Sequence, residues 1–68
     1  MYSAATDIDA YQRIKNGILE LRYRPGQKLS EAKLVAELKL GRSPIRSALA
    51  RLERDGWVRV LPDRKRVV

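Results

Sequence analysis

From Arg42 to Arg54 the sequence reads RSPIRSALARLER. At about 100° per residue, a helix there would turn Ile45, Ala48, Leu49 and Leu52 to one side and Arg46, Ser47, Ala50, Arg51 and Arg54 to the other. A guanidinium is a rigid fork of donors that suits a phosphate or the O6/N7 edge of guanine. Serine adds a hydroxyl, and alanine leaves the face free of bulk. Such a face fits a major groove of duplex DNA. At its N-terminal end, Arg42, Ser43 and Arg46 sit where helix backbone N–H groups remain free for a phosphate. A helix that only covered a core would more often mix Glu and Lys outside; Glu53 lies toward the side.

The charge balance supports an anionic partner. The 68 residues carry 15 Lys+Arg against 8 Asp+Glu, a net charge of +7. Residues 1–41 contribute +2 and residues 42–68 contribute +5, and seven of the eight cations in the second stretch are arginine. A solvated surface is the ordinary meaning of a charge run, so the helical pattern has to carry the argument. There is no Cys and no His, which removes thiol chemistry and the commonest general base and nitrogen metal ligand. With no paired carboxylates on one face and no phosphate-loop glycines either, an enzyme is not expected, and neither is a cofactor or metal. No apolar run exceeds three residues, against the ~20 needed to span a bilayer. Residues 1–9 lack the basic-then-apolar order of a signal peptide. A cytoplasmic protein is expected.

The positioning elements follow from periodicity and punctuation. Tyr11, Ile14, Ile18 and Leu21 form one helical stripe, with Asp7 or Asp9 as its cap and Arg24-Pro25-Gly26 as its stop. Residues 1–9 before it are expected to be a flexible tail. Gly17 within it implies either close packing of a neighbour or a locally weak helix. Ser30 caps a second helix over residues 31–39, with Leu34, Val35 and Leu38 inward. Gly41 supplies a positive φ in the break. Ser43 caps the third helix, Pro44 is its first residue, and Gly56 ends it. Residues 57–61 and 66–68 then read as two strands of a hairpin with Arg64, Lys65 and Arg66 at its tip. The fold class is mainly α with a small β-hairpin: a winged helix-turn-helix in one domain, residues 10–68.

Other residues read more plainly. Trp57 is a core lid rather than a base-stacking platform. Tyr11 is buried at its ring with its hydroxyl at the edge, Tyr2 lies in a frayed tail, and Tyr23 either packs or contacts backbone. Asp7 and Asp9 are caps rather than metal ligands. A winged-helix module that docks an acidic protein would share the net charge, but the outer face lacks aromatic or Met anchors. RNA binding lacks an aromatic strip for unpaired bases.

Four stretches together resemble the N-terminal DNA-binding domain of the GntR family of bacterial transcription regulators. They are Ile-x-x-Gly-Ile-Leu from Ile14 with Arg24-Pro25-Gly26-Gln27-Lys28-Leu29; Ser30-Glu31-x-x-Leu34-x-x-x-Leu38; Arg42 to Leu49; and Leu52 to Val58. The resemblance covers roughly residues 10–68 and is similar to the FadR-type subgroup. It implies a DNA-binding transcription factor, usually a repressor, acting as a homodimer on a palindromic double-stranded operator. It matches Arg42 and Arg46 to guanine-reading arginines, Ser43 to a phosphate-touching residue, and Arg64, Lys65 and Arg66 to the wing tip. Ser30, Lys33, Pro44, Ser47 and Arg51 complete the expected DNA-binding set. The sequence departs from the family pattern at Lys39 and Lys65, where Gly is usual, at Gly41, where Ser or Thr is usual, and at Ser47, where Glu is usual. The resemblance also implies a fragment, without the effector-binding and dimerisation domain that would follow.

Overall fold

A computed structural model describes the backbone of residues 3–68 and the side chains from Ile8 onward. Helix α1 spans Ser3–Leu19, strand β1 Lys28–Leu29, α2 Glu31–Leu38 and α3 Arg42–Arg54; β2 (Arg59–Val60) and β3 (Arg66–Val67) follow. The three strands form an antiparallel sheet in the order β1-β3-β2, with Leu29 and Val60 both opposite Arg66. This is a winged helix-turn-helix. Among the described residues, no helix is long and apolar enough to cross a membrane.

The core is where the helical stripes meet. Ile45, Ala48, Leu49 and Leu52 of α3 are buried as their spacing predicts, against Ala10, Tyr11, Ile14 and Ile18 of α1 and Leu34 of α2. Val58 joins the same core, Val68 and Trp57 pack partly buried against it, and Val67 is buried in the sheet. Two long-range side-chain bonds clamp the helices. The Tyr11 hydroxyl donates to Asp55 Oδ2 at 2.6 Å, tying α1 to the end of α3. The Tyr23 hydroxyl donates to Glu37 Oε1 at 3.1 Å, tying the α1–β1 loop to α2. Arg13 Nη1 donates to the Leu38 carbonyl at 3.3 Å, where α2 has run out of helical donors.

Helix α1 departs from expectation at both ends. It starts at Ser3, so Asp7 and Asp9 lie within the helix rather than at its N-cap position, and residues 3–9 of the expected tail are helical. Asp9 instead meets Arg13 one turn on, at 3.4 Å. Tyr2 lies outside the described residues. The helix ends at Leu19, before the Pro-Gly stop. Arg22 N–H reaches back to the Gly17 carbonyl (2.9 Å) and Leu21 N–H to that of Ile18 (3.1 Å), with Leu21 at φ 63°. That is a Schellman cap, in which glycine is the usual left-handed residue. Leu21 is consequently 61% exposed rather than on the buried stripe. Tyr23 folds back in its place, and its ring occupies the space that a Cβ on Gly17 would need. The close neighbour is therefore the reason for Gly17.

The helix-turn-helix corner also differs in detail. Ser30 caps α2 as expected, accepting from Lys33 N–H at 3.3 Å. The left-handed residue that ends α2 is Lys39 (φ 56°). Gly41, at φ −68°, is the extended N-cap of α3 and offers no capping side chain. Ser43 and Pro44 are then the second and third residues of α3, which starts two residues before the expected first position at Pro44. Gly56 ends α3 at φ 88° as expected.

The sheet has one strand more than the expected hairpin. Residues 28–29 gain strand character only by pairing with β3, and two residues carry no periodicity to reveal them. Val60 is 42% exposed, so the expected strand alternation buries Val58 alone. At the wing turn Arg64 N–H bonds the Leu61 carbonyl at 2.8 Å and Arg64 takes φ 67°. The left-handed residue of the wing turn is thus Arg64.

Two substitutions test these contacts in urea denaturation. Gly17→Ala gains about 1 kcal/mol of helix propensity but overpacks against the held Tyr23 ring, for a net loss of about 1–2 kcal/mol. Lys39→Gly relieves a left-handed side chain and raises stability by about 1 kcal/mol. Equal stability of Gly17→Ala and the parent chain would show that Tyr23 yields freely.

Candidate nucleic-acid interface

Burial of the apolar stripe of α3 forces the opposite face outward. Arg42, Ser43, Arg46, Ser47 and Ala50 line one open, shallow depression on it. No aromatic or large aliphatic side chain stands in that depression. The first turn of α3 carries no acidic residue, so its backbone N–H dipoles face solvent unneutralised from within the helix.

A second depression lies on the other side of the α2 N-terminus. It is lined by Lys28, Ser30, Glu31, Arg64, Lys65 and Arg66, with Leu29 at its floor. The wing tip and the start of α2 therefore form one cleft. Arg64 and Lys65 are exposed, and the Lys65 backbone N–H is held by Asp63 Oδ1 at 3.2 Å, which fixes the turn. Arg66 is only partly exposed, and its Nε is buried without a hydrogen-bond partner. The Ser30 hydroxyl accepts from Lys33 N–H and keeps its own proton free to donate. Lys33 is exposed one turn along, beside the same loop.

Glu31 joins the two depressions. Its Oε1 lies 3.5 Å from Arg42 Nε and its Oε2 3.3 Å from Arg46 Nε. One carboxylate from α2 thus spans two of the four arginines of α3, Arg42 and Arg46. Periodicity within a single helix could not show this pairing, which exists only once α2 and α3 cross. Lys28 is a second residue that the sequence reading passes over, since β1 itself was not legible.

Of the eleven residues singled out in the sequence, the structure brings Arg42, Ser43, Arg46 and Ser47 to one face, and Ser30, Arg64, Lys65 and Arg66 to the adjacent cleft, with Lys33 beside it. Two fall elsewhere. Pro44 is buried, because as the third residue of α3 it points toward the core rather than leading the helix. It shapes the corner and presents no contact surface. Arg51 sits on the shoulder toward α1, its guanidinium 4.4 Å from the Tyr11 ring centre and 4.0 Å from Asp55. That geometry is a cation–π contact at a partly exposed site. Arg54 shares this shoulder with Ile8 and Tyr11.

Among the described residues no cluster of His, Cys, Asp or Glu could hold a metal. The site consists of two basic depressions, one on a helix face and one under a β-wing, which is the layout of a DNA-binding regulator domain. Similarity to known proteins agrees. The gntR family of bacterial regulatory proteins matches residues 7–68, and the chain belongs to that family. It is 40% identical over 53 residues to an HTH-type transcriptional regulator from the TAR-I ttuE-ttuC′ intergenic region of Agrobacterium vitis, covering 78% of this chain and 31% of that protein. It is 44% identical over 36 residues to the Nta operon transcriptional regulator of Aminobacter aminovorans, covering 53% of this chain and 17% of that one. An HTH-type regulator of Streptomyces ambofaciens is 37% identical over 54 residues, with 79% and 23% covered. The chain thus spans less than a third of the length of these relatives. It is of the GntR-type, DNA-binding class of transcriptional regulators.

The two tyrosine clamps give a pH test. The hydrogen bond to Asp55 and, next, burial push the Tyr11 phenol above its ordinary value of 10.0. Burial, with the charge of Glu37, raises Tyr23 likewise. A raised folded pKa means the folded chain keeps protons that the unfolded chain releases. Stability is then full below pH 10 and falls as pH rises from 10 through the folded values. Thermal unfolding followed from pH 9 to 12 should show this fall, shallower in Tyr11→Phe. A steeper fall in Tyr11→Phe would contradict the clamp.

Proposed function

We propose that this chain reads duplex DNA for a bacterial transcription regulator, with residues 43–55 of the recognition helix in the major groove. The wing, residues 57–68, lies along the backbone or enters the adjacent minor groove. The observation that carries this reading is the placement of Arg42 and Arg46 on an unobstructed helix face directly beside the cleft of Ser30, Arg64 and Lys65. A major groove ~12 Å wide admits a helix with such small outer residues, while the wing cations reach phosphates next to it. Docking of an acidic protein has less support, since neither depression offers an aromatic or Met anchor.

The FadR-type subgroup fits the Pro-Gly turn and the Ser-Pro-Ile-Arg run. The family reading extends to a cytoplasmic repressor that pairs two copies on a palindromic operator through a further effector-binding domain. The relative from Aminobacter is named as the regulator of an operon, and control of a neighbouring gene cluster is the corresponding role here. One domain touching about 4–6 phosphates gives a log–log salt slope near −4 to −5. Two linked half-sites would then supply the affinity that a single head lacks.

The test is selection from a random duplex pool, followed by fluorescence anisotropy on the recovered sequence and its scramble. Arg46→Ala should cost about 1–3 kcal/mol on the selected site and relax preference at one position, whereas Lys65→Ala should weaken both duplexes alike. Unchanged affinity and preference in Arg46→Ala would refute the recognition-helix assignment.

A further inference from the structure

From the Glu31 carboxylate that spans Arg42 and Arg46 we infer that Glu31 is a positioning residue for base selection, restricting these arginines to guanine edges and away from phosphates. The inference deepens the DNA-reading function and rests on it. Arg42 and Arg46 stand one turn apart on α3, and each meets Glu31 through Nε, at 3.5 and 3.3 Å. Neither has another ion-pair or hydrogen-bond partner among the described residues. With Nε facing the carboxylate, the outer Nη pair of each fork is the edge left for a ligand. Two parallel donors on that edge match O6 and N7 of guanine.

The exposures point to a steering role rather than a stabilising one. The arginine side chains are 73% and 68% exposed, while Glu31 is only 25% exposed. The acid is the more buried member, at the first turn of α2 behind the Ser30 cap, and the arginines are the solvent-facing ones. Exposed ion pairs contribute little to folding, so the effect of Glu31 falls on the orientation of free arginines. Unrestrained, two long cations beside a groove would take phosphate oxygens from any sequence. A carboxylate between them disfavours a phosphate at the same place, so it lowers non-specific affinity and raises the ratio of specific to non-specific binding. The residue sits on the wall of the wing cleft as well, which puts it beside both sets of cations at once.

Glu31→Gln tests this, with anisotropy on the selected duplex, on its scramble, and on the selected duplex carrying 7-deazaguanine. The expected result has three parts. Affinity for the scramble rises about three- to five-fold at 0.15 M salt, with a log–log salt slope steeper by about 1. The specific-to-scrambled ratio falls about tenfold. The loss on 7-deazaguanine, large for the parent chain, becomes smaller in the variant because its arginines no longer depend on N7. A merely structural Glu31 would move none of these ratios, and an unchanged melting temperature identifies the variant as folded. An unaltered ratio with an unaltered 7-deazaguanine loss would overturn the inference alone. Lack of any sequence preference in the parent chain would overturn the DNA-reading function and this inference with it.

Discussion

Helix α3 has two incompatible faces, and the rest of the molecule is arranged to keep them apart. Four apolar residues, Ile45, Ala48, Leu49 and Leu52, hold it on the core, and all are at most 2% exposed. A 68-residue chain buries only ~60% of the surface its unfolded form exposes, so this stripe is a large part of the available hydrophobic driving force. Its burial fixes the rotation of α3 about its own axis. The cationic face then points outward with no freedom to turn, and no separate device is needed to present it. Core packing and ligand presentation are one constraint read from opposite sides.

Fixing the position of α3 along and across the core takes more than apolar contact. Tyr11 anchors its far end through Asp55, while α2, which sets the near end, is held by Arg13 and by Tyr23. Tyr23 can reach Glu37 because Gly17 leaves room for its ring and because Leu21 turns the chain back with a positive φ. Strain accepted at Leu21 and again at Lys39 thus fixes the angle at which α2 meets α3. That angle sets the distance between Glu31 and the two arginines. The wing is attached by the same logic: Val58 buries into the core, Val67 is buried in the sheet, β1 pairs with β3, and the basic turn is left at the mouth of the cleft beside Ser30.

Much of this was legible in the sequence wherever a residue's role depended on its own helix. The buried stripes of α1 and α3, the Ser30 cap, the Gly56 stop and the basic tip all follow from local pattern. The failures are equally specific. The start of α1 is not legible because Asp7 and Asp9 look like caps, and an aspartate before a helix and one within it differ only by what precedes them. Gly41 was expected to take the left-handed turn because glycine is its usual occupant, but Lys39 takes it. Strand β1 has no intrinsic signal and exists by pairing. For the site, the residues of the α3 face could be named from periodicity, whereas Pro44 and Arg51 could not be sorted from them without the corner geometry and the Tyr11 ring. Glu31 could not be found at all, since its partners lie 11 and 15 positions away on another helix.

The most direct test of the account is to map the contact surface by heteronuclear NMR. The uniformly 15N-labelled chain would be titrated with its selected duplex, and the arginine Nε–H signals followed together with the backbone. The largest shifts should fall on Arg42, Ser43, Arg46 and Ser47, on Ser30, and on Arg64 and Lys65, with α1 unmoved. Shifts concentrated on α1, at Ile8, Leu19 or the Leu21 turn, with the α3 face silent, would contradict it.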